Sequence, residues 1–232
     1  MTYYAYSKTF DRELELAGVA DDGTLIYEDA LPAFAELLKE NIRDKRQNVI
    51  PVVGGTGSGK SMTTLRLIKL MDPYWRIEPN MVYTASDLAG KLARRNEANP
   101  ITMMDEGSII LNSKNTMTRE NKTITVLFDT MRSLGWTTFL DIPQFSTLDK
   151  SVREFHANYL VMCPAMSPVR GYDPRGFVKI YEHVVRDWGK SYFRHLVTTK
   201  SPLPPKTTRD KYEKIKLERQ LKLLEEKSEA LA

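Results

Sequence analysis

The sequence predicts an α/β domain with a mostly parallel sheet flanked by helices, then a β-hairpin and a charged helical tail. Three observations carry that expectation. Short apolar runs alternate with stretches of helical periodicity from residue 48 to residue 162, and such alternation builds parallel sheets covered on both faces. A glycine-rich loop joins one run to the helix that follows it. Polar residues stand just past the ends of the runs, where open α/β sheets bind ligands.

Residues 1–47 form an N-terminal extension. Leu31, Phe34, Leu37, Leu38 and Ile42 fall at helical spacing, so an amphipathic helix is expected from Glu28 to about Arg46. Asn48 to Val53 then reads as a buried strand and Met62 to Met71 as the next helix, with Leu67, Ile68 and Met71 on one side. Asp72-Pro73 breaks the chain, Met81 to Thr84 reads as a strand, and Ser86 caps a helix to about Asn96. After Asn99-Pro100 come a strand from Ile101 to Met104, a helix from Arg119 to Leu134 and a strand from Thr137 to Ile142. A helix near Leu148 to His156 and a strand from Tyr159 to Met162 complete the alternation. Phe177 to Val185 and Tyr192 to Thr199 are β-prone around a turn at 187–190, which reads as an antiparallel hairpin. The α/β domain, hairpin included, is therefore expected over 48–200. Pro202, Pro204 and Pro205 mark a linker in 201–232, and Leu217, Leu221, Leu224 and Leu231 give the charged tail a short, interrupted 3,4 repeat.

The formal charge is +4, with a pI of about 9.0, which favours an anionic partner without naming it. Cys163 is the sole cysteine, so a disulfide within the chain and a thiolate zinc site are excluded and a reducing, cytoplasmic setting is expected. The start of the chain has no signal-peptide pattern, and no apolar run is long enough to span a membrane. His156, His183 and His195 show no metal-ligand spacing.

Gly54, Gly55, Thr56, Gly57, Ser58, Gly59, Lys60 and Ser61 fit GxxxxGK[ST] at every fixed position, with Met62 opening the helix beyond. In such a loop successive N–H groups point into one concavity, the helix adds its positive end, and glycines let the backbone approach phosphate oxygens. ATP is the expected ligand. Lys60 would reach the β- and γ-phosphates, and Ser61 would hold Mg²⁺. Asp105 and Glu106 close an apolar strand, where the aspartate would serve Mg²⁺ and the glutamate would polarise an attacking water.

Met131-Arg132-Ser133-Leu134-Gly135, the strand from Thr137, Pro143-Gln144-Phe145-Ser146 and Leu148-Asp149 together resemble the FtsK/HerA ATPases. The resemblance covers about residues 48–164 and implies a RecA/ASCE-like P-loop NTPase that moves or packages double-stranded DNA. It matches Gln144 to the polar sensor beside the γ-phosphate and Arg132 to the family arginine. Pro143 and Phe145 depart from the residues usual on either side of that glutamine. Arg132 would act as an arginine finger on a neighbour's ATP, with Arg153 and Arg119 as rivals. A finger in trans needs a homo-oligomer, and the resemblance implies a ring, hexameric in the family. Between residues 170 and 200 basic side chains outnumber acidic ones and aromatics lie among them. They would either track a nucleic-acid backbone or form a solvated hairpin with its aromatics in the core. Two other functions stay open: a Zot-like ATPase of virion assembly with protein or membrane partners, and a P-loop small-molecule kinase. Glu106 and Gln144 weigh against the kinase, which must suppress attack by water.

Overall fold

In the computed structural model of the 232-residue chain, the described residues are 3–20, 22–93, 100–105, 119–132, 134–164, 176–186 and 189–229. They form β1 (Tyr4–Ser7), β2 (Arg12–Val19), β3 (Leu25–Tyr27), α1 (Leu31–Arg43), β4 (Asn48–Val53), α2 (Lys60–Met71), β5 (Met81–Val82) and α3 (Ala85–Ala93). Next come β6 (Ile101–Met104), α4 (Arg119–Met131), β7 (Thr137–Ile142), β8 (Tyr159–Met162), β9 (Phe177–Val185), β10 (Ser191–Lys200) and α5 (Lys206–Glu229).

The described strands make one sheet in the order β1-β2-β3-β10-β9-β8-β4-β7-β6-β5. Its centre, β8 to β5, is parallel throughout, while β9 pairs antiparallel with both β8 and β10. The hairpin therefore lies within the sheet. Strand β3 pairs parallel with β10 at Thr198↔Ile26, so residues before 47 extend the same sheet. The sequence showed only a helix there, because β1 and β2 carry Glu13, Glu15 and other exposed residues and lack a full apolar face.

Strand β4 shows why the centre forms. Ile50 and Val52 enter the core under α1 and α2, and Val49 and Val53 enter the core under α3 and α4. A strand buried on both faces reads as a continuous apolar run. Pro51 has no N–H to give a ladder. Pairing with β8 is interrupted at Ile50 and Pro51, resuming at Val52↔Val161, while the Asn158 side chain takes the Val49 N–H at 2.9 Å.

At the opposite end of β4 from the glycine-rich loop, buried polar groups lock α1 to the sheet. Asn41 Nδ2 donates to Asn48 Oδ1 at 2.8 Å and to Tyr159 Oη at 3.1 Å, and Asn48 Nδ2 reaches Thr137 Oγ1 at 3.0 Å and the Leu38 carbonyl at 3.2 Å. These groups are satisfied, and that removes the penalty of burying them.

Candidate nucleotide site

The chain leaves β4 at Val53 and turns sharply into α2. Gly59 at the helix start has φ 89°, a left-handed conformation that only glycine takes without cost. Gly54 is confined by close approach: a Cβ there would lie 2.6 Å from the Cys163 carbonyl oxygen and 2.4 Å from Ser58 Oγ. That carbonyl belongs to the segment after β8, so the loop is wedged between two strand ends. Lys60 Nζ donates to the Gly54 and Gly55 carbonyl oxygens at 2.7 and 2.8 Å, which folds the ammonium back over its own loop.

Thr56, Gly57, Gly59, Lys60, Ser61 and Met62 line a cavity of about 860 Å³ at the carboxyl ends of the central strands. That size falls within the roughly 300–1,000 Å³ of small-molecule sites. Gly54 and Gly55 do not line it but accept from Lys60, which does, and Ser58 is buried.

Asp105 follows β6 directly, and Asp141 is the fifth residue of β7. The register Met104↔Leu140 sets the two carboxylates side by side, on the sheet face that carries α2. Both are buried, and both line the cavity. Thr64 Oγ1 donates to Asp141 Oδ1 at 2.6 Å, and the Ser61 hydroxyl faces the same carboxylate. Asp141 Oδ2 has no protein hydrogen-bond partner. Burial first, and then the Asp105 charge, raise the Asp141 pKa to about 7. Cys163 nearby has its thiol pushed up to about 12, mainly by burial, which makes it an inert packing residue.

Helix α5 closes the cavity from the other side. Tyr212 Oη donates to Asp105 Oδ2 at 3.0 Å, and Lys216 Nζ lies 3.5 Å from the same oxygen and 3.3 Å from Tyr212 Oη. The connection to α5 is docked as well. Ser201 N–H donates to the Gly176 carbonyl at 2.7 Å, and Ser201 Oγ lies 3.0 Å from Thr63 Oγ1 on α2.

Lys60, Ser61 and Asp105 thus share one cavity. Glu106 lies outside the described residues. Gln144 stands exposed just past β7, its carbonyl accepting from Thr147, and it is not among the lining residues, whereas Ile142 and Pro143 are. Arg132 is exposed at the end of α4, outside the cavity. Arg153 sits in a short π-helical turn, half-buried, and the Arg119 side chain is outside the described ones. Sequence reasoning missed Asp141, Tyr212 and Lys216. A charged residue inside the apolar run Thr137 to Ile142 is a legible anomaly, as is a lone aromatic in the charged tail. Nothing in the spacing links either to the loop.

Among the described residues no group of three or more His, Cys, Asp or Glu is placed to hold a metal, and no helix is long and apolar enough to cross a membrane. The exposed basic groups of the hairpin include Arg186, stacked 4.9 Å over Tyr192, and Lys190. Arg194 pairs with Glu182, and Lys200 with Glu28 at 2.6 Å. Phe193 packs edge-on to Phe145 and stacks on His183, so that aromatic belongs to the fold's interior side.

No protein-family model and no curated protein matches the chain. Among solved structures it is similar to the N-terminal domain of zonular occludens toxin from Neisseria meningitidis, at 13% identity over 71% of this chain and 98% of that one, TM-score 0.45. The genome packaging NTPase B204 from Sulfolobus turreted icosahedral virus 2 matches at 13% identity over 64% and 97%, TM-score 0.43. The cytoplasmic domain of the type VII secretion ATPase EccC from Thermomonospora curvata matches at 12% identity over 78% and 26%, TM-score 0.38. The sheet with its helices on both faces, and the GxxxxGKS loop between β4 and α2, give this chain the fold of a P-loop NTPase.

Proposed function

We propose that this chain is a Mg²⁺-dependent ATPase that works as an oligomeric motor on double-stranded DNA. The observation that carries the ATPase reading is the convergence of Lys60, Ser61 and Asp105 on one cavity of nucleotide size. The donor set suits Mg²⁺, a hard cation that takes oxygen ligands and keeps several waters. Ser61 and Asp105 would hold it, and Asp141, whose Oδ2 is buried without a protein partner, lines the same cavity. When bound, Mg²⁺ neutralises charge on the β- and γ-phosphates.

The chain's own groups supply the rest. Loop N–H groups cradle the phosphates, and Lys60 leaves the Gly54 and Gly55 carbonyls to meet them. Glu106, next after Asp105, takes the role of orienting water, and Gln144 that of sensing the γ-phosphate. Arg132, exposed and outside its own cavity, would serve as a finger on a neighbouring subunit's nucleotide. Arg186 and Lys190, both exposed at the far end of the hairpin, are the cations this reading offers to a phosphate backbone.

A second reading, an assembly ATPase with a protein partner, draws support from the sheet edge. Among the described residues strand β1 has pairing only on its β2 side, and Tyr4 and Tyr6 on it, with Tyr3 just before it, are each more than half exposed. Phosphate release from ATP, measured with and without duplex DNA alongside solution mass, separates the two. DNA-stimulated release by an oligomer supports the motor. ATP hydrolysis with no DNA binding even at low salt moves the function to protein assembly, and no release without an added acceptor overturns the ATPase.

A further inference from the structure

The tail helix borders the cavity that Lys60, Ser61 and Asp105 line, and it is built in. Tyr212 is 1% exposed and belongs to the same core as Leu65 and Ile68 of α2. Lys211 pairs with Glu78 at 2.8 Å, and the Arg219 guanidinium lies 5.0 Å over the Tyr83 ring. Together with the Ser201 ties, these contacts hold α5 at both ends of the stretch that faces the cavity. Lifting the helix would expose a buried ring and break an ion pair, yet the cavity is already open at about 860 Å³ with α5 in place. The helix is therefore a wall of the site.

Two ammonium groups then border one cavity, Lys60 from the loop and Lys216 from α5. Lys216 balances Asp105, its other contacts among the described residues are the Tyr212 hydroxyl and ring, and a lysine stem is long and flexible. From these contacts, and resting on the ATPase reading above, we infer that α5 completes the nucleotide site within the same chain: Lys216 is a cation for the terminal phosphate, and Tyr212 is a positioning residue that holds the Asp105 carboxylate. This gives the chain a means of telling a nucleoside triphosphate from a diphosphate without a neighbouring subunit.

The test is equilibrium binding of a fluorescent, non-hydrolysable ATP analogue and of ADP, each with Mg²⁺, to the full chain. Lys216→Met should weaken the triphosphate by about tenfold or more, the size of a lost charge-assisted contact, and the diphosphate by less than about threefold. Lys216→Arg should recover most of the loss. Tyr212→Phe removes only the hydroxyl, so it should raise the Mg²⁺ concentration needed for half-maximal nucleotide binding and leave metal-free binding unchanged. A Lys216→Met protein that binds the triphosphate as well as or better than wild type overturns the inference, the tighter case making α5 a plug. Equal weakening of both nucleotides also overturns it. If Lys60→Ala abolishes binding while Lys216→Met leaves the triphosphate affinity at its wild-type value, only this inference falls; if wild type binds neither nucleotide, the ATPase reading falls with it.

Discussion

Asp141 is a carboxylate held where its charge is unwelcome, and replacing it by Asn should stabilise the nucleotide-free protein at neutral and alkaline pH. The gap between the ordinary 3.8 and about 7 corresponds to about 4 kcal/mol when the group is fully ionised. Its sign follows from proton counts. Between these two values the folded chain keeps a proton that the unfolded chain has lost, so stability falls as pH rises through that window. From pH 5 to pH 8 the loss is on the order of 2–3 kcal/mol, or about 5–10 °C in Tm for a chain of this size. Asn keeps the oxygen that accepts from Thr64 and brings an N–H₂ toward Asp105 in place of a charge.

The raw wild-type curve is not the test, because His156 and His195 act in the opposite sense. Burial lowers both their pKa values, so they remove stability as pH falls below about 6.5. The difference between Asp141→Asn and wild type cancels those terms. Thermal unfolding without nucleotide or Mg²⁺, followed across pH 5 to 8, should show the variant gaining steadily on wild type. A constant difference across that range would refute the account of Asp141 as a buried, charge-crowded acid.

Other outcomes follow from the same geometry. Lys60→Ala should abolish nucleotide binding, whereas Glu106→Gln should keep binding and lose turnover, read by nucleotide titration beside phosphate release. Arg132→Ala should bind ATP yet be inactive alone, and mixing it with Glu106→Gln should recover some phosphate release; no recovery in oligomers shown by native mass spectrometry to be mixed would move the finger to Arg153. Asn48→Ala strips partners from Asn41 and Thr137 in a buried network and should cost about 2–3 kcal/mol in denaturant unfolding, with nucleotide affinity unchanged. Replacing Arg186 and Lys190 by Ala should lower the salt slope of DNA binding by up to about two phosphate contacts' worth, and an unchanged slope would remove the hairpin from the track.

What the sequence disclosed depended on how local the signal was. The bounds of β4, β6 and β7 were readable because each is a run of residues buried on both faces, ended by a glycine, an acid or a proline, and β8 is an apolar run in which only Met162 is exposed, closed by Cys163-Pro164. The loop was readable because its chemistry needs fixed residues at fixed spacing. Strands β1 and β2 were not, since their exposed faces carry charge and tyrosine without a regular alternation. Helix α5 was legible as a helix, while its place in the fold was hidden. A polar helix with one aromatic reads as solvated, and only the buried partner of Tyr212, more than a hundred positions earlier in the chain, gives that ring its meaning.

Asp141 teaches a related point about strand interiors. In a sheet buried on both faces, every side chain must be apolar or must have a partner, and Asp141 has only half of its hydrogen-bonding capacity met by Thr64. A fold built for stability alone would place an aliphatic residue there, continuing Phe139 on the same face. Keeping a carboxylate at a cost of several kcal/mol makes sense where a cation arrives to offset it, and under the proposed function that cation would be Mg²⁺ beside Ser61 and Asp105, which line the same cavity. Destabilisation of the empty site and affinity of the filled one are then two sides of the same charge, so Mg²⁺ with nucleotide should raise the Tm of wild type more than that of Asp141→Asn.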